Sequence, residues 1–167
     1  MVQVRSLIIC ITAILFAVFG VPLWLTGSGV PGIVRAVAYP FFHANVFHLL
    51  ANLLAVWTVF RPECRTIKRD LALGFLISTA VYFLATRPVV GLSNIMFAVI
   101  GLRTPAITDP WWRRPATITF LAVTLLMLLV PQFSAVTHIA AFAAGSLLSA
   151  LIRIIKPYVD DAARLDR

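Results

Sequence analysis

The chain has 167 residues, of which 61% are hydrophobic and only 12% are charged. A soluble domain carries about 25% charged residues, so this composition excludes one and indicates a multi-pass membrane protein. The net charge of +8 does not indicate nucleic-acid binding, because Lys and Arg beside apolar segments act first as topology signals and as contacts with anionic lipid. The two cysteines, Cys10 and Cys64, suggest neither a disulfide framework nor a metal site.

Six apolar segments predict an all-α membrane protein in which six transmembrane helices form a single domain over residues 1–167. The predicted spans are residues 6–25, 41–60, 71–86, 93–106, 116–130 and 135–155, followed by a cytoplasmic tail at 156–167. The first segment could instead be a signal peptide, but its length and the lack of a small-x-small cleavage site favour a span. The fourth segment, of about 14 residues, is too short to cross a bilayer in contact with lipid, so we expect the other helices to enclose it.

The basic residues fall almost entirely on one side of this six-span arrangement. Of the 14 Lys and Arg residues, only Arg35 and Arg87 lie on the other side. The positive-inside rule therefore predicts that both termini are cytoplasmic, and the strength of the bias fits a bacterial plasma membrane. The acidic residues also fall on the cytoplasmic side, which leaves no carboxylate within the membrane.

The absence of an intramembrane carboxylate argues against several chemistries. Aspartyl intramembrane proteolysis needs two such groups, and a zinc protease needs a helical His-Glu-x-x-His motif, which the sequence lacks. Ion-coupled transport usually depends on a buried Asp or Glu, and many transporters contain a symmetric repeat. A transporter or channel therefore stays an alternative that none of these features supports.

The remaining polar side chains of interest cluster at the outer ends of three predicted spans. His43 and His48 lie at the start of the second span, Ser93 at the start of the fourth and His138 at the start of the sixth. Alternating crossings put these three starts at one membrane level. Asn52 lies one helical turn below His48 on the same face.

Each of these residues has a purely structural alternative. Ser93 could be a helix N-cap, and His43 and His138 could be interfacial anchors. His48 and Asn52 could hydrogen-bond neighbouring helices together. A serine and a histidine at one depth, with no acid nearby, are nevertheless what a serine nucleophile with a histidine base requires.

Small residues predict that the fourth and sixth spans lie close together. One face of each span carries such residues: Ser93, Phe97 and Gly101 on the fourth, and His138, Ala141, Gly145 and Ser149 on the sixth. Small side chains let helix backbones approach closely in lipid. We therefore expect the Ser93 hydroxyl to reach within about 3 Å of a His138 ring nitrogen, the distance that general-base activation needs.

Three motifs follow one another in register along the chain. They are His43-Ala-Asn-Val-Phe-His48-Leu-Leu-Ala-Asn52, Gly91-Leu92-Ser93-Asn94 with Gly101, and His138 with Ala141 and Gly145. Arg35 precedes the first motif by eight residues and fits the arginine of a Trp-Arg motif, with Val34 in place of the tryptophan. In these motifs and their spacing, the chain resembles the rhomboid family of intramembrane serine proteases from about Arg35 to Arg153.

The resemblance implies a six-helix rhomboid-like bundle that cleaves single-span or membrane-anchored proteins near the outer face of the membrane. It makes Ser93 the nucleophile and His138 the general base, with His48, Asn52 and the Ser93 backbone N–H as the oxyanion hole. It implies neither a cofactor nor a metal. The residues that it assigns to supporting positions are His43, Gly91, Asn94, Gly101 and Gly145.

The chain departs from the family pattern at three places. Asn94 and Ala141 stand where the family has glycine, and the first loop, residues 26–40, is shorter than usual. These departures keep open a second interpretation, in which the chain is an inactive rhomboid-like protein that binds transmembrane segments as an adaptor or chaperone.

Overall fold

The computed structural model describes residues 2–19, 32–59, 66–85, 89–104 and 135–165, together with the helical residues Ile118, Ala122 and Leu125. Within these parts of the chain the regular secondary structure is entirely helical, as the sequence predicts. The α-helices are α1 (Val2–Phe19), α2 (Gly32–Ala38), α3 (Val46–Val59), α4 (Ile67–Tyr82), α5 (Ser93–Arg103) and α6 (Ala135–Leu165), and a 3-10 helix covers Tyr39–Phe41.

Three helices begin at different residues from the predicted spans. α1 begins at Val2 rather than at residue 6. α3 begins at Val46 rather than at residue 41, because the Asn45 side chain accepts a hydrogen bond from the His48 N–H (2.8 Å) and so caps the helix there. α4 begins at Ile67 rather than at residue 71. The first turn of α4 contains charged residues. Hydropathy therefore predicts a loop there, although a helix can include charged residues where it extends beyond the bilayer.

Helix α6 is longer than its predicted span and includes most of the predicted tail. Its section Ala135–Pro157, 23 residues, is the one helix among the described residues that is long and apolar enough to cross a membrane, judged by length and composition. Three shorter apolar helices cover Ser6–Val18, Val46–Trp57 and Ser93–Arg103. The predicted fifth span, 116–130, lies largely outside the described residues.

The first loop contains helical structure that hydropathy did not predict. Helix α2 and the 3-10 helix follow one another without a break and lead to the start of α3. The backbone N–H of Gly91 donates to the carbonyl oxygen of Tyr39 (3.0 Å), which joins this loop to the segment that precedes α5.

The contacts between helices give their relative directions. The N-terminal residues of α5 and α6 meet at Ser93 and His138, and later residues of both helices meet at Gly101 and Ser146. Helices α5 and α6 therefore run parallel. Helix α4 runs antiparallel to α5, since its end lies beside the start of α5 and Asp70 in its first turn pairs with Arg103 at the end of α5.

Helix α5 is enclosed by its neighbours, as its length predicts. Eight of its 11 residues are buried. Val99 and Ile95 face Gly74 of α4, where an added β-carbon would lie 2.8 Å from the Val99 side chain. The glycine thus allows α4 to lie close against α5.

A buried ion pair holds the helices together at the end of the bundle opposite Ser93. The Arg103 Nε lies 2.9 Å from Asp70 Oδ2, and Arg103 Nη1 donates to the Val59 carbonyl oxygen (2.6 Å). Arg69 also contacts Asp70 (3.1 Å), and Thr66 donates its hydroxyl to the same carboxylate (2.7 Å). These bonds join α3, α4 and α5.

Candidate active site

The first residue of α5 and the first turn of α6 meet in a serine–histidine contact. Ser93 Oγ lies 2.7 Å from His138 Nε2, within hydrogen-bonding distance. Ser93 is partly exposed, whereas His138 is buried. The N-cap position of α5 is occupied by Leu92, and no side chain caps the helix. The interpretation of Ser93 as a helix cap is therefore wrong.

Neighbouring side chains fix the orientation of the histidine ring. The Phe97 ring packs edge-on against the His138 ring, with centroids 4.9 Å apart and an interplanar angle of 79°. Phe97 lies one turn after Ser93 on the same face of α5, so both residues contact one imidazole. Ala141, one turn after His138, is fully buried, and its small side chain fits between the two helices.

Two glycines allow the close approach of α5 and α6. A β-carbon added at Gly101 would lie closer than 3.0 Å to the carbonyl oxygen of Phe142. One added at Gly145 would lie equally close to the carbonyl oxygen of Ala98. Both neighbours are backbone atoms, which cannot rotate away as a side chain can. The predicted close contact of small residues between these helices is thus present.

The segment just before Ser93 lies against the polar face of α3. Gly91 has a φ of 103°, the only positive value among the described residues. A β-carbon at Gly91 would be 2.7 Å from His48 Nε2 and 3.5 Å from Asn52 Nδ2. Only glycine adopts this backbone conformation readily, and only glycine leaves space for the His48 ring. The structure therefore brings His48 and Asn52 to the same small region as Ser93.

The hydrogen bonds of His48 and Asn52 determine what each can donate. The Ala44 N–H donates to His48 Nδ1 (3.3 Å), so the neutral ring carries its proton on Nε2, the nitrogen that faces Gly91. Asn52 Nδ2 donates to the His48 carbonyl oxygen (2.8 Å). Because a side-chain amide has two N–H bonds, Asn52 retains a second donor.

His43 packs behind His48. The two rings meet edge-on with centroids 5.1 Å apart. His43 is fully buried, and neither of its ring nitrogens has a hydrogen-bond partner among the described residues. The structure thus places the His43 ring in contact with the His48 ring.

Sequence reasoning missed two residues beside the site, Tyr39 and Ser78. Asn94 is buried in the first turn of α5, and its Nδ2 donates to the Tyr39 hydroxyl (3.0 Å). The Tyr39 hydroxyl donates to the Ser78 carbonyl oxygen (3.1 Å) and also contacts the Ser78 hydroxyl. One signal could have indicated them, since a tyrosine hydroxyl buried beside apolar spans needs a polar partner.

The assembled groups favour acid–base and nucleophilic chemistry. Within the ranges that the structure describes, no three His, Cys, Asp or Glu side chains are close enough together to hold a metal ion. The buried carboxylate of Asp70 is paired with Arg103 at the far end of α5. The site thus offers a hydroxyl, an imidazole in contact with it, and a separate group of N–H donors around Gly91.

A comparison with protein-family models identifies the family. The rhomboid domain model matches residues 31–154, more than half of the chain. The chain belongs to the rhomboid family. No curated protein and no solved structure matches it significantly. Rhomboid proteins are integral membrane proteins that act on other membrane proteins within the bilayer, and they are generally serine proteases, although inactive members exist.

Proposed function

We propose that this rhomboid protein is an intramembrane serine endopeptidase that cleaves single-span or membrane-anchored proteins near the outer face of the membrane. The observation that carries the proposal is the 2.7 Å distance between Ser93 Oγ and His138 Nε2. That distance lies within the reach a general base needs to take the proton of a hydroxyl. Family membership supports the reaction class, because rhomboid proteins are generally serine proteases.

In the proposed reaction a serine–histidine dyad performs two acyl-transfer steps. Ser93 Oγ attacks the scissile carbonyl carbon while His138 Nε2 takes the hydroxyl proton. His138 then gives that proton to the leaving amine, which leaves the acyl group as an ester on Ser93. Water attacks the ester and transfers a proton to His138. The proton returns to Ser93 Oγ as the ester bond breaks and the acid product is released.

Three N–H donors are proposed to stabilise the oxyanion of each tetrahedral intermediate. They are His48 Nε2, the second amide N–H of Asn52, and the backbone N–H of Ser93. The last has no acceptor within α5, because the first N–H groups of a helix have none. The positions of the two side-chain donors, His48 and Asn52, around Gly91 support this role. Donors aimed at developing charge typically contribute the largest single effect in acyl transfer.

Phe97 orients the catalytic histidine ring, which is one of the roles that an aspartate has in a catalytic triad. Its edge-on contact holds the His138 ring in one orientation. The imidazolium that forms during the reaction then lies against a buried aromatic ring. We infer that such a dyad works as a neutral pair in the resting enzyme, which suits a site below the membrane surface.

The proposal includes the predicted topology. Six spans form one domain over residues 1–167, with both termini in the cytoplasm of a bacterium and the site opening to the outer side. The alternation of direction between α4 and α5 supports this arrangement. A substrate helix has to unwind locally, because helical hydrogen bonds shield its carbonyl groups, so we expect cleavage at small or helix-weakening residues.

The decisive experiment measures cleavage of a fluorogenic single-span substrate in proteoliposomes. Ser93→Ala and His138→Ala should each abolish turnover, since each removes one member of the dyad. Ser146→Ala is the matched control, because its hydroxyl makes only a long bond to the Gly101 carbonyl oxygen (3.4 Å) in the same helix pair. Full turnover in either dyad variant would refute the dyad.

A fluorophosphonate probe distinguishes the enzyme from an inactive adaptor. Labelling of the wild-type protein that is lost in Ser93→Ala supports the protease. An absence of labelling, together with stable binding of a single-span peptide, would support the adaptor instead. The helical backbone of Asn94 favours the enzyme, because asparagine adopts this conformation without strain.

A further inference from the structure

A buried polar bridge connects three elements around the nucleophile. Asn94 lies directly after Ser93 and donates through Nδ2 to the Tyr39 hydroxyl (3.0 Å). That hydroxyl donates onward to Ser78 of α4. All three side chains are essentially inaccessible to solvent. The bridge therefore joins the 3-10 helix, α4 and the first turn of α5.

Tyr39 holds the chain on both sides of Ser93. Its carbonyl oxygen accepts the N–H of Gly91 (3.0 Å), two residues before the serine. Its hydroxyl accepts from Asn94, one residue after the serine. One residue outside the helix thus fixes the two ends of the segment that carries the nucleophile.

The start of α5 needs such support. No side chain caps the helix, and Leu92 at the N-cap position has no group that could. An uncapped first turn frays easily, because its N–H groups lack intrahelical acceptors. Ser93 is the first residue of this turn, so its hydroxyl can stay beside His138 only if the turn is held from outside.

We propose that Asn94 is a positioning residue for the nucleophile and acts through Tyr39 and Ser78. The bridge keeps the first turn of α5 in the geometry that places Ser93 Oγ beside His138. Asn94 touches neither the substrate nor the reacting atoms in this role. This inference rests on the proposed protease function, and it assigns a task to the residue that replaces the family's glycine.

The test compares single and double variants for turnover in proteoliposomes, with rates divided by the number of active sites titrated with a fluorophosphonate. Tyr39→Phe removes one hydroxyl, and Asn94→Ala removes the amide. Each removes the hydrogen bond between Asn94 and Tyr39 and should lower kcat roughly 3- to 10-fold, with KM changed by less than about twofold. The double variant should be no slower than Tyr39→Phe, because both changes remove the hydrogen bond between Asn94 and Tyr39.

A matched control separates positioning from a general effect of buried hydroxyls. Thr79→Val removes a buried hydroxyl next to Ser78 that has no hydrogen-bond partner among the described residues, and it should leave kcat unchanged. If Asn94→Ala does not fold, Tyr39→Phe still tests the bridge, because it removes the hydroxyl that contacts both Asn94 and Ser78. A lowered melting temperature with unchanged kcat per titrated site would overturn the positioning role.

The outcomes separate this inference from the proposed function. If the wild-type protein is labelled at Ser93 and cleaves substrate, and the bridge variants do so equally well, only the positioning role fails. The same holds if Asn94→Gly is faster than the wild type. If the wild type shows neither Ser93-dependent labelling nor cleavage, both proposals fail together.

Discussion

Replacing Gly145 by alanine should separate the two helices that carry the dyad. The added β-carbon would lie closer than 3.0 Å to the Ala98 carbonyl oxygen and 3.0 Å from the Leu102 backbone nitrogen. An ordinary carbon–oxygen contact then requires the backbones to move apart by about 1 Å. Overpacking of this kind typically costs about 1–3 kcal/mol of stability.

The displacement should reach the dyad. Gly145 follows His138 by seven residues, which is about 10 Å along a helix. If α6 moves as a rigid rod, the distance from Ser93 Oγ to His138 Nε2 grows from 2.7 Å to about 3.7 Å, beyond hydrogen-bonding reach. A misplacement of about 1 Å can cost roughly 100-fold in rate, so we expect a loss of that order in kcat/KM.

The assay for Gly145→Ala is cleavage of a single-span substrate in proteoliposomes, with unfolding in denaturant measured in parallel. Gly32→Ala is the matched control, since a β-carbon there would meet only the Phe83 ring at an ordinary 3.8 Å. If Gly145→Ala kept kcat/KM within about threefold of the wild type, the reasoning about the close helix contact would be refuted, provided that Ser93→Ala is inactive.

Three further predictions concern the ion pair and the donors around Gly91. Asp70→Ala should destabilise the protein by about 3–5 kcal/mol in denaturant unfolding, because it leaves Arg103 charged and largely buried. Lys68→Ala, at an exposed position of the same helix, is the control and should cost little stability. Equal losses of stability in the two variants would contradict this prediction. Gly91→Ala should lower kcat in the same cleavage assay. A positive φ costs an alanine about 1–2 kcal/mol, and the added β-carbon would overlap the His48 ring. An unchanged kcat would argue against the packing of Gly91 on His48. His48→Ala should lower kcat about 100- to 1000-fold with KM nearly constant, and an effect on KM alone would remove it from the oxyanion hole.

The serine–histidine pair was the part of the site that sequence patterns predicted best. Small residues spaced along two spans indicated a close contact, and the start of α5 at Ser93 and of α6 at Ala135 agrees with the predicted spans. The spacing of small residues and the starts of the spans both depend on helix packing, which imposes a regular spacing of residue types on the sequence. Charge counting added the depth at which His48 should lie.

The polar bridge and the helical structure of the first loop do not produce a comparable sequence pattern. Tyr39 pairs with Asn94 across 55 positions in the sequence, and no periodicity links two such residues. Helix α2 is only seven residues long, too short for a hydropathy pattern to distinguish it from a loop. The start of α3 was predicted too early because hydropathy ignores Asn45, whose capping role is a property of hydrogen bonding.

The parallel course of α5 and α6 has an electrostatic consequence for the site. Both helices begin within one turn of the dyad, at Ser93 and Ala135, so the positive ends of two helix dipoles point at the same small volume. Each end is equivalent to roughly half a unit of positive charge. For the proposed reaction, the backbone itself therefore favours the negatively charged intermediate over the neutral substrate. In a pair of antiparallel helices, however closely packed, the negative end of one dipole would largely cancel the positive end of the other at this point.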